Sequence, residues 1–112
     1  MYKIYRTEKF DKDMVRGFAQ DEQRQLSRIE KLQLVKDPYV GDELGHSFIR
    51  EKKIGKKYVY YLVYDDLEAV LMVAFKDKKM ELEIAQEMKD GLEEYYNIIK
   101  AIIKRHGEYA RS

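Results

Sequence analysis

The sequence predicts an α+β fold that consists, in chain order, of an N-terminal strand, a helical hairpin, an antiparallel sheet and a long C-terminal amphipathic helix. Three observations predict it. Alternating apolar and polar residues with turn signals fill residues 47–75, and apolar residues at helical spacing fill 11–36 and again 80–107. At 112 residues the chain is long enough for one modest core. We therefore expect residues 1–112 to form one domain, with 80–107 as a helical extension.

The N-terminal third contains one strand and the helical pair. Residues 2–6 alternate apolar and polar side chains and predict the first strand. The spacing over 11–36 then predicts a helical hairpin or one kinked helix, with Asp11 and Asp21 suited to begin its two halves. Pro38 ends this segment, because proline disfavours helical geometry in the residue before it.

A loop is predicted over residues 39–46, and three strand candidates follow it, at residues 47–54, 57–64 and 67–75. Gly55-Lys56 and Asp65-Asp66 separate them and are short enough for hairpin turns, so these strands should be antiparallel. The third candidate is apolar on both faces, which places it at the centre of the sheet under at least one helical layer. Together with the first strand, the sheet should have three to four strands.

The C-terminal segment from residue 80 predicts an amphipathic helix that ends at Gly107. Two alternatives stay open. Asp90 can begin a second helix, which would divide the segment, and the alternation over 80–84 is also compatible with a fifth strand. The apolar side of this helix can cover the domain's own sheet, or it can form a homodimer or another partner interface.

Composition narrows the function classes. The 22 basic and 21 acidic residues nearly cancel, so no overall field favours nucleic acid or membrane. The absence of cysteine excludes disulfides, thiolate metal sites and cysteine nucleophiles, and His46 and His106 lack ligand-like spacing. No apolar run reaches membrane-spanning length, and residues 1–6 lack the apolar h-region of a leader, so we expect none. We expect a cytoplasmic protein without a membrane contact, a metal or another cofactor.

A local basic cluster surrounds the predicted turn at Gly55 and contains one acid, Glu51. Such a cluster is typical of a patch that binds RNA or phosphate, with Tyr58 and Tyr60 as stacking groups. It is also compatible with a solvated edge hairpin, because lysines on edge strands prevent aggregation. The cations are Arg50, Lys52, Lys53, Lys56 and Lys57.

The order of the predicted elements, together with several short motifs, resembles the RelE/ParE superfamily of toxins from toxin–antitoxin pairs. Ile29-Glu30-Lys31-Leu32 leads into Asp37-Pro38 and Gly41-Asp42-Glu43-Leu44, like the family's helix end and loop. The segment 50–61 resembles its basic strand, glycine turn and tyrosine-containing strand, and Lys76-Asp77-Lys78-Lys79 its basic turn. The likeness spans about residues 2–85.

This resemblance implies two functions. RelE-like members act at the ribosome and cleave messenger RNA without a metal: the 2′-hydroxyl attacks the adjacent phosphate while cationic side chains stabilise the transition state. ParE-like members lack those residues and act on DNA gyrase. The first hypothesis is therefore a ribosome-associated endonuclease or a weakened descendant of one. The alternative is a non-catalytic, protein-binding module on the same scaffold. Both imply an antitoxin partner.

The resemblance also implies site residues. Arg50, Lys52 and Lys57 match the basic positions of the two strands around the turn, although Tyr58 fits the position of Lys57 equally well if the turn is one residue longer. Lys79 matches the arginine after the central strand. These four would be catalytic. Glu83 stands where the family often has a tyrosine, so nuclease activity stays an open question. We expect the cations around the turn to share one concave surface. The residues expected to bind RNA are Lys53, Lys56, Tyr58 and Tyr60.

Overall fold

A five-stranded sheet with helices on both faces forms the part of the chain that the computed structural model describes, which is residues 1–111 with side chains up to residue 106. The strands are β1 (Lys3–Arg6), β2 (Asp42–Glu43), β3 (Ile49–Ile54), β4 (Lys57–Tyr64) and β5 (Ala69–Lys76). The α-helices are α1 (Glu8–Gly17), α2 (Gln20–Ile29), α3 (Glu81–Asp90) and α4 (Leu92–Arg111). The predicted α+β fold is confirmed.

The strand order is β1-β5-β4-β3-β2, so β5, β4 and β3 each have a neighbour on both sides. The antiparallel pairs β3–β4 and β4–β5 agree with the predicted hairpins. Two features go beyond the prediction. The strand β1 runs parallel to β5, and the two-residue β2 pairs with β3 inside the predicted loop. The sheet is therefore mixed. The sequence did not predict this, because the residue pattern within a strand does not encode the direction of its neighbour.

The helical hairpin begins earlier than predicted. Thr7, rather than Asp11, caps α1: its hydroxyl accepts a hydrogen bond from an amide of the first turn. Helix α1 ends at Gly17. The Glu22 carboxylate then accepts a 2.9 Å hydrogen bond from the amide of Ala19 and so caps the N-terminus of α2. Asp11 and Asp21 both lie within first turns. A π-helical turn, Glu30–Leu34, continues α2 towards Pro38.

Each face of the sheet has its own core. We call the face covered by α1 and α2 the hairpin face, and the face covered by α3 and α4 the C-terminal face. Tyr61 and Met72 are buried on the hairpin face against Phe10 and Leu26. The residues buried on the C-terminal face include Tyr60, Leu62, Leu71, Ile84, Met88 and Ile99. Because β4 and β5 alternate between the two cores, both of their faces are buried.

The C-terminal segment forms two helices that pack on the sheet. Residues 80–84 do not form a fifth strand, which was the alternative compatible with the sequence. The break falls at Gly91, where a Cβ atom would lie 2.9 Å from the ring of Tyr95. Gly107, the predicted stop, lies within α4. Among the described residues, every helix is too short or too polar to cross a membrane.

Candidate functional site

The hairpin of β3 and β4 determines where each predicted cation lies. Gly55 has a φ of +62°, a left-handed conformation that glycine adopts without strain, and it allows the tight turn with Lys56. Successive side chains of a strand point to opposite faces of the sheet. Cations at neighbouring positions of β3 are therefore divided between the hairpin face and the C-terminal face.

Arg50 lies on the hairpin face and binds the loops on both sides of β2. Its Nε donates a 2.8 Å hydrogen bond to the Ser47 carbonyl, and its Nη1 donates a 3.0 Å bond to the Gly41 carbonyl. The guanidinium carbon lies 5.0 Å from the centre of the Tyr39 ring. Two of its nitrogen atoms and its planar face are thus used within the chain.

Lys57 also lies on the hairpin face, where it closes the C-terminal end of α1. Its Nζ donates a 2.5 Å hydrogen bond to the Gly17 carbonyl and a 2.7 Å bond to the Glu22 carboxylate. The ammonium lies 5.4 Å from the centre of the Phe18 ring. The hydrogen bond from Lys57 holds the pKa of Glu22 below its ordinary value. The charge of Lys57 is therefore compensated.

Lys52 lies between Arg50 and Ile54 on β3, so alternation places it on the hairpin face too. It is half-buried, and among the described residues it forms no ion pair.

A row of three side chains crosses the C-terminal face at the end of the sheet. Lys53 pairs in register with Tyr58, and Tyr58 pairs with Lys76. Neighbouring strands are about 4.8 Å apart, so an aromatic ring stands between two lysines. Lys53 is exposed, while Tyr58 and Lys76 are half-buried. We call these three residues the basic row.

Further lysines extend this end of the molecule. Lys56 is exposed in the turn beside the basic row, and Lys78 is exposed in the loop after β5. Asp77, also exposed, is the acid between Lys76 and Lys78. We call the basic row together with Lys56 and Lys78 the basic end of the sheet.

A buried carboxylate lies one row deeper on the same face. Glu51 is 2% exposed, and its Oε1 lies 3.4 Å from Nζ of Lys79, which is also 3.6 Å from Oε2 of Glu81. These two carboxylates raise the pKa of Lys79. The hydroxyl of Tyr60, opposite Glu51, accepts a 3.1 Å bond from the Met80 amide. Burial, followed by a hydrogen bond to Glu51, raises the pKa of Tyr60.

The sequence matches no family model and no curated protein. Solved structures do match. The isolated E. coli RelE toxin superposes with a TM-score of 0.60 at 15% identity, over 80% of this chain and 98% of that one. An E. coli RelE mutant in complex with a peptide of the antitoxin RelB gives 0.60 at 18% identity, over 77% and 92%. The RelE–RelB complex of Pyrococcus horikoshii gives 0.51 at 13%, over 70% and 97%.

The chain has the RelE-like fold. The likeness covers nearly the whole of each matched RelE chain, so the whole architecture is shared rather than a single motif. The family resemblance predicted from the sequence is confirmed at the level of the fold. At these identities the RelE-like fold does not itself assign the reaction.

Within this RelE-like fold, the predicted catalytic cations do not meet. Arg50, Lys52 and Lys57 lie on the hairpin face, whereas Lys79 lies on the C-terminal face beside Glu51. The expectation that the cations around the turn share one surface is wrong, because the period-two geometry of a strand separates them. Their catalytic roles stay predictions.

The predicted RNA-binding residues are closer together. Lys53, Tyr58 and Tyr60 share the C-terminal face, and Lys56 lies in the turn beside them. Tyr60 is fully buried, so its ring is packed inside the protein and is not open to a base. The sequence reasoning missed Lys76 as a member of this group. The register across β4 and β5 is the signal that reveals it.

The remaining sequence candidates lie apart from the basic row. Glu83, at the position matched to the family's tyrosine, is exposed on α3. His46 stacks on Phe48 with 5.1 Å between ring centres, and the ring of His106 lies edge-on to Tyr5 at 5.4 Å. No cluster of three or more metal-ligating side chains occurs among the described residues.

Proposed function

We propose that this chain is the toxin of a toxin–antitoxin pair and that its target is RNA, bound at the basic end of the sheet. The RelE-like fold supports the first part, since the E. coli and P. horikoshii proteins with this fold were determined in complex with the antitoxin RelB. An antitoxin is accordingly the expected protein partner. The observation that carries the second part is the basic row.

The basic row has the two kinds of group that single-stranded RNA requires. Lys53 and Lys76 are two strands apart, which separates their Cα atoms by roughly 10 Å, so they can contact different phosphates. Tyr58 stands between them and is half-exposed, so its ring can stack on the base that those phosphates flank. Such contacts are independent of base identity, which suits a toxin acting on many messages.

The specific form of this proposal is ribosome-associated cleavage of messenger RNA, as in RelE-like toxins. The 2′-oxygen forms a bond to the adjacent phosphorus and loses its proton, while the 5′-oxygen of the next nucleotide leaves and gains one. Negative charge increases on the phosphoryl oxygens during this step. The cations of the basic end and Lys79 stabilise that charge, whereas Arg50 and Lys57 maintain the scaffold around them.

Induced expression in a bacterial host tests this function. Wild-type protein should arrest growth and stop translation in a cell-free extract, and primer extension should show new 5′ ends within messages on ribosomes. Lys53→Ala with Lys76→Ala should relieve the arrest without unfolding the protein. The control is Lys31→Ala with Lys36→Ala, which removes the same charge from two exposed lysines near the end of the helical hairpin. Normal growth and translation with wild-type protein contradict the proposal.

A second function, a ParE-like or other non-catalytic protein-binding module, is favoured by the ion pairs described above. Glu22 compensates Lys57, Glu51 and Glu81 compensate Lys79, and Arg50 is hydrogen-bonded to the loops beside β2. Growth arrest with intact translation, unchanged by Lys53→Ala with Lys76→Ala, supports this function instead. A mainly apolar protein contact should also resist salt, whereas RNA binding should weaken steeply.

A further inference from the structure

The end of the sheet opposite the basic end is acidic and aromatic, and it contains an open depression of about 530 Å³. The depression lies where β4 ends, between the loop before β3 and the first turn of α4. Its aromatic walls are Tyr39, Phe48, Tyr64 and Tyr96, and its carboxylates are Asp65, Asp66 and Glu93. The RNA function does not use this combination of groups. We call it the acidic pocket.

Tyrosine hydroxyls hold two of the carboxylates in place. Oδ1 of Asp65 accepts 2.6 Å hydrogen bonds from Tyr2 and from Tyr39, and Oδ2 of Asp66 accepts a 2.7 Å bond from Tyr96. The two bonds to Asp65 keep its pKa below the ordinary value. Within the described residues, the second oxygen of each carboxylate has no hydrogen-bond or ion-pair partner, so two fixed acceptors are available at adjacent positions.

The aromatic walls complete a site for a cation. The rings of Tyr64 and Tyr96 are 5.5 Å apart, and the hydroxyl of Tyr64 is buried without a hydrogen-bond partner among the described residues. The chain already places its own cations on the pocket's rings: Arg50 lies 5.0 Å from the centre of Tyr39, and Lys100 5.3 Å from that of Tyr96. These rings therefore attract positive charge in this structure.

We propose that the acidic pocket is the docking site for an arginine side chain of a partner protein. The argument is charge complementarity. Asp65, Asp66 and Glu93 form no ion pair among the described residues, so these three carboxylates can still pair with a cation, although Arg50 and Lys100 lie on two of the pocket's rings. A guanidinium is planar, its fork of donors matches carboxylate oxygens, and its face stacks on tyrosine. The same negative charge repels RNA.

Both ends of the molecule can be occupied at once. The eight residues of β4 separate the acidic pocket from the basic end, a length of about 23 Å, well beyond the Debye length in physiological salt. The docking site is thus independent of the proposed action on RNA, and it persists if that action is disproved.

Titration of the full chain with short peptides, followed by NMR, tests this inference. The probe is acetyl-Gly-Arg-Gly-amide, and its neutral isostere is the same peptide with citrulline. The arginine peptide should shift the resonances of Tyr39, Tyr64, Asp66 and Tyr96, and citrulline should bind at least about tenfold more weakly, since it lacks the charge. Asp66→Asn should weaken the arginine peptide about tenfold. The control, Asp77→Asn, removes an exposed acid at the basic end and should change nothing.

Equal affinity for the arginine and citrulline peptides contradicts the inference, as do shifts centred on the basic end. Both comparisons use the wild-type chain, so the result does not depend on how a variant folds. If Asp66→Asn loses its cooperative thermal transition, Glu93→Gln on the first turn of α4 replaces it, with weaker binding of arginine as the expected result.

Discussion

At the residue scale, buried hydroxyl and charged groups of the hairpin face bind backbone atoms that would otherwise lack partners. Tyr61 is the clearest case. Its fully buried hydroxyl donates a 2.7 Å hydrogen bond to the Pro38 carbonyl and accepts a 3.2 Å bond from the Gly41 amide. Burial raises the pKa of Tyr61 to about 12. The loop that follows the helical hairpin is thereby attached to the centre of the sheet.

Tyr61→Phe should lower the free energy of unfolding by about 1–3 kcal/mol, because the change leaves two buried backbone groups unpaired. Urea unfolding measures this. Tyr58→Phe is the matched control: the side chain of Tyr58 is half-buried, and its hydroxyl makes no hydrogen bond to the described residues, so its effect should stay within about 0.5 kcal/mol. Equal effects of the two changes contradict the assigned role of Tyr61.

The ion pair of Lys57 with Glu22 predicts a dependence of stability on pH. The pKa of Glu22 is lower in the folded protein, first because of Lys57 and then because of the Ala19 amide. The carboxylate therefore stabilises the fold above its unfolded pKa, and this stabilisation is lost as pH falls through its folded pKa. Glu22→Gln should flatten the acid side of a plot of melting temperature against pH. Asp21→Asn, one residue away and exposed, should leave that curve unchanged.

At the element scale, α3 and α4 cover the C-terminal face of the sheet, on which the basic row also lies. Ile84 and Met88 of α3 and Ile99 of α4 are almost fully buried against that face, which is the self-packing alternative left open by the sequence. This packing explains why Tyr60 is inaccessible. The basic row stays partly exposed because α3 begins beyond it, at Glu81.

Met88→Ala should destabilise the protein by about 2–5 kcal/mol, because it leaves a cavity between α3 and the sheet. Leu82→Ala, on the same helix but with its side chain 81% exposed, should change stability by no more than about 0.5 kcal/mol. Thermal or urea unfolding of both variants checks the packing of α3. A large effect at Leu82 would show that this side chain is covered in solution.

Most elements could be predicted because their signals are local. The apolar run of β5, the glycine turn at Gly55 and the break at Pro38 each depend on neighbouring residues alone. The parallel pairing of β1 with β5 and the short strand β2 could not, since they depend on contacts between distant segments. The cap of α1 was missed because Thr7 and Asp11 are both suitable residue types and only the geometry selects between them.

The candidate site was predictable only in part. The sequence shows that cations cluster near Gly55, and alternation alone separates Lys52 from Lys53. It does not show which face of the sheet is exposed to solvent, nor that Lys57 forms an ion pair with Glu22 on α2. Lys76 joins the basic row through the register of β5, which includes an irregularity opposite Tyr60 and Tyr61. Such a shift moves side chains between faces, so the partner of Tyr58 required a structure.

At the scale of the whole molecule, a net charge of +1 conceals two ends of opposite sign. Lysines gather where β4 begins and β5 ends, while Asp65, Asp66 and Glu68 lie where β4 ends and β5 begins. An anionic ligand and a cationic partner are thus directed to different ends of one small fold. Overall charge, which argued against nucleic acid, averages over this separation and misses it.

The salt dependence of RNA binding tests the central claim most directly. Affinity for a short single-stranded RNA, measured by fluorescence anisotropy between 50 and 200 mM salt, should fall steeply for the wild-type chain. Each phosphate contact contributes about 0.7 to the slope of log affinity against log salt. Lys53→Ala with Lys76→Ala should reduce that slope by about 1.4, while Lys31→Ala with Lys36→Ala should preserve it. Equal slopes for the two double variants, or no RNA binding by the wild-type chain, would contradict RNA recognition at the basic row.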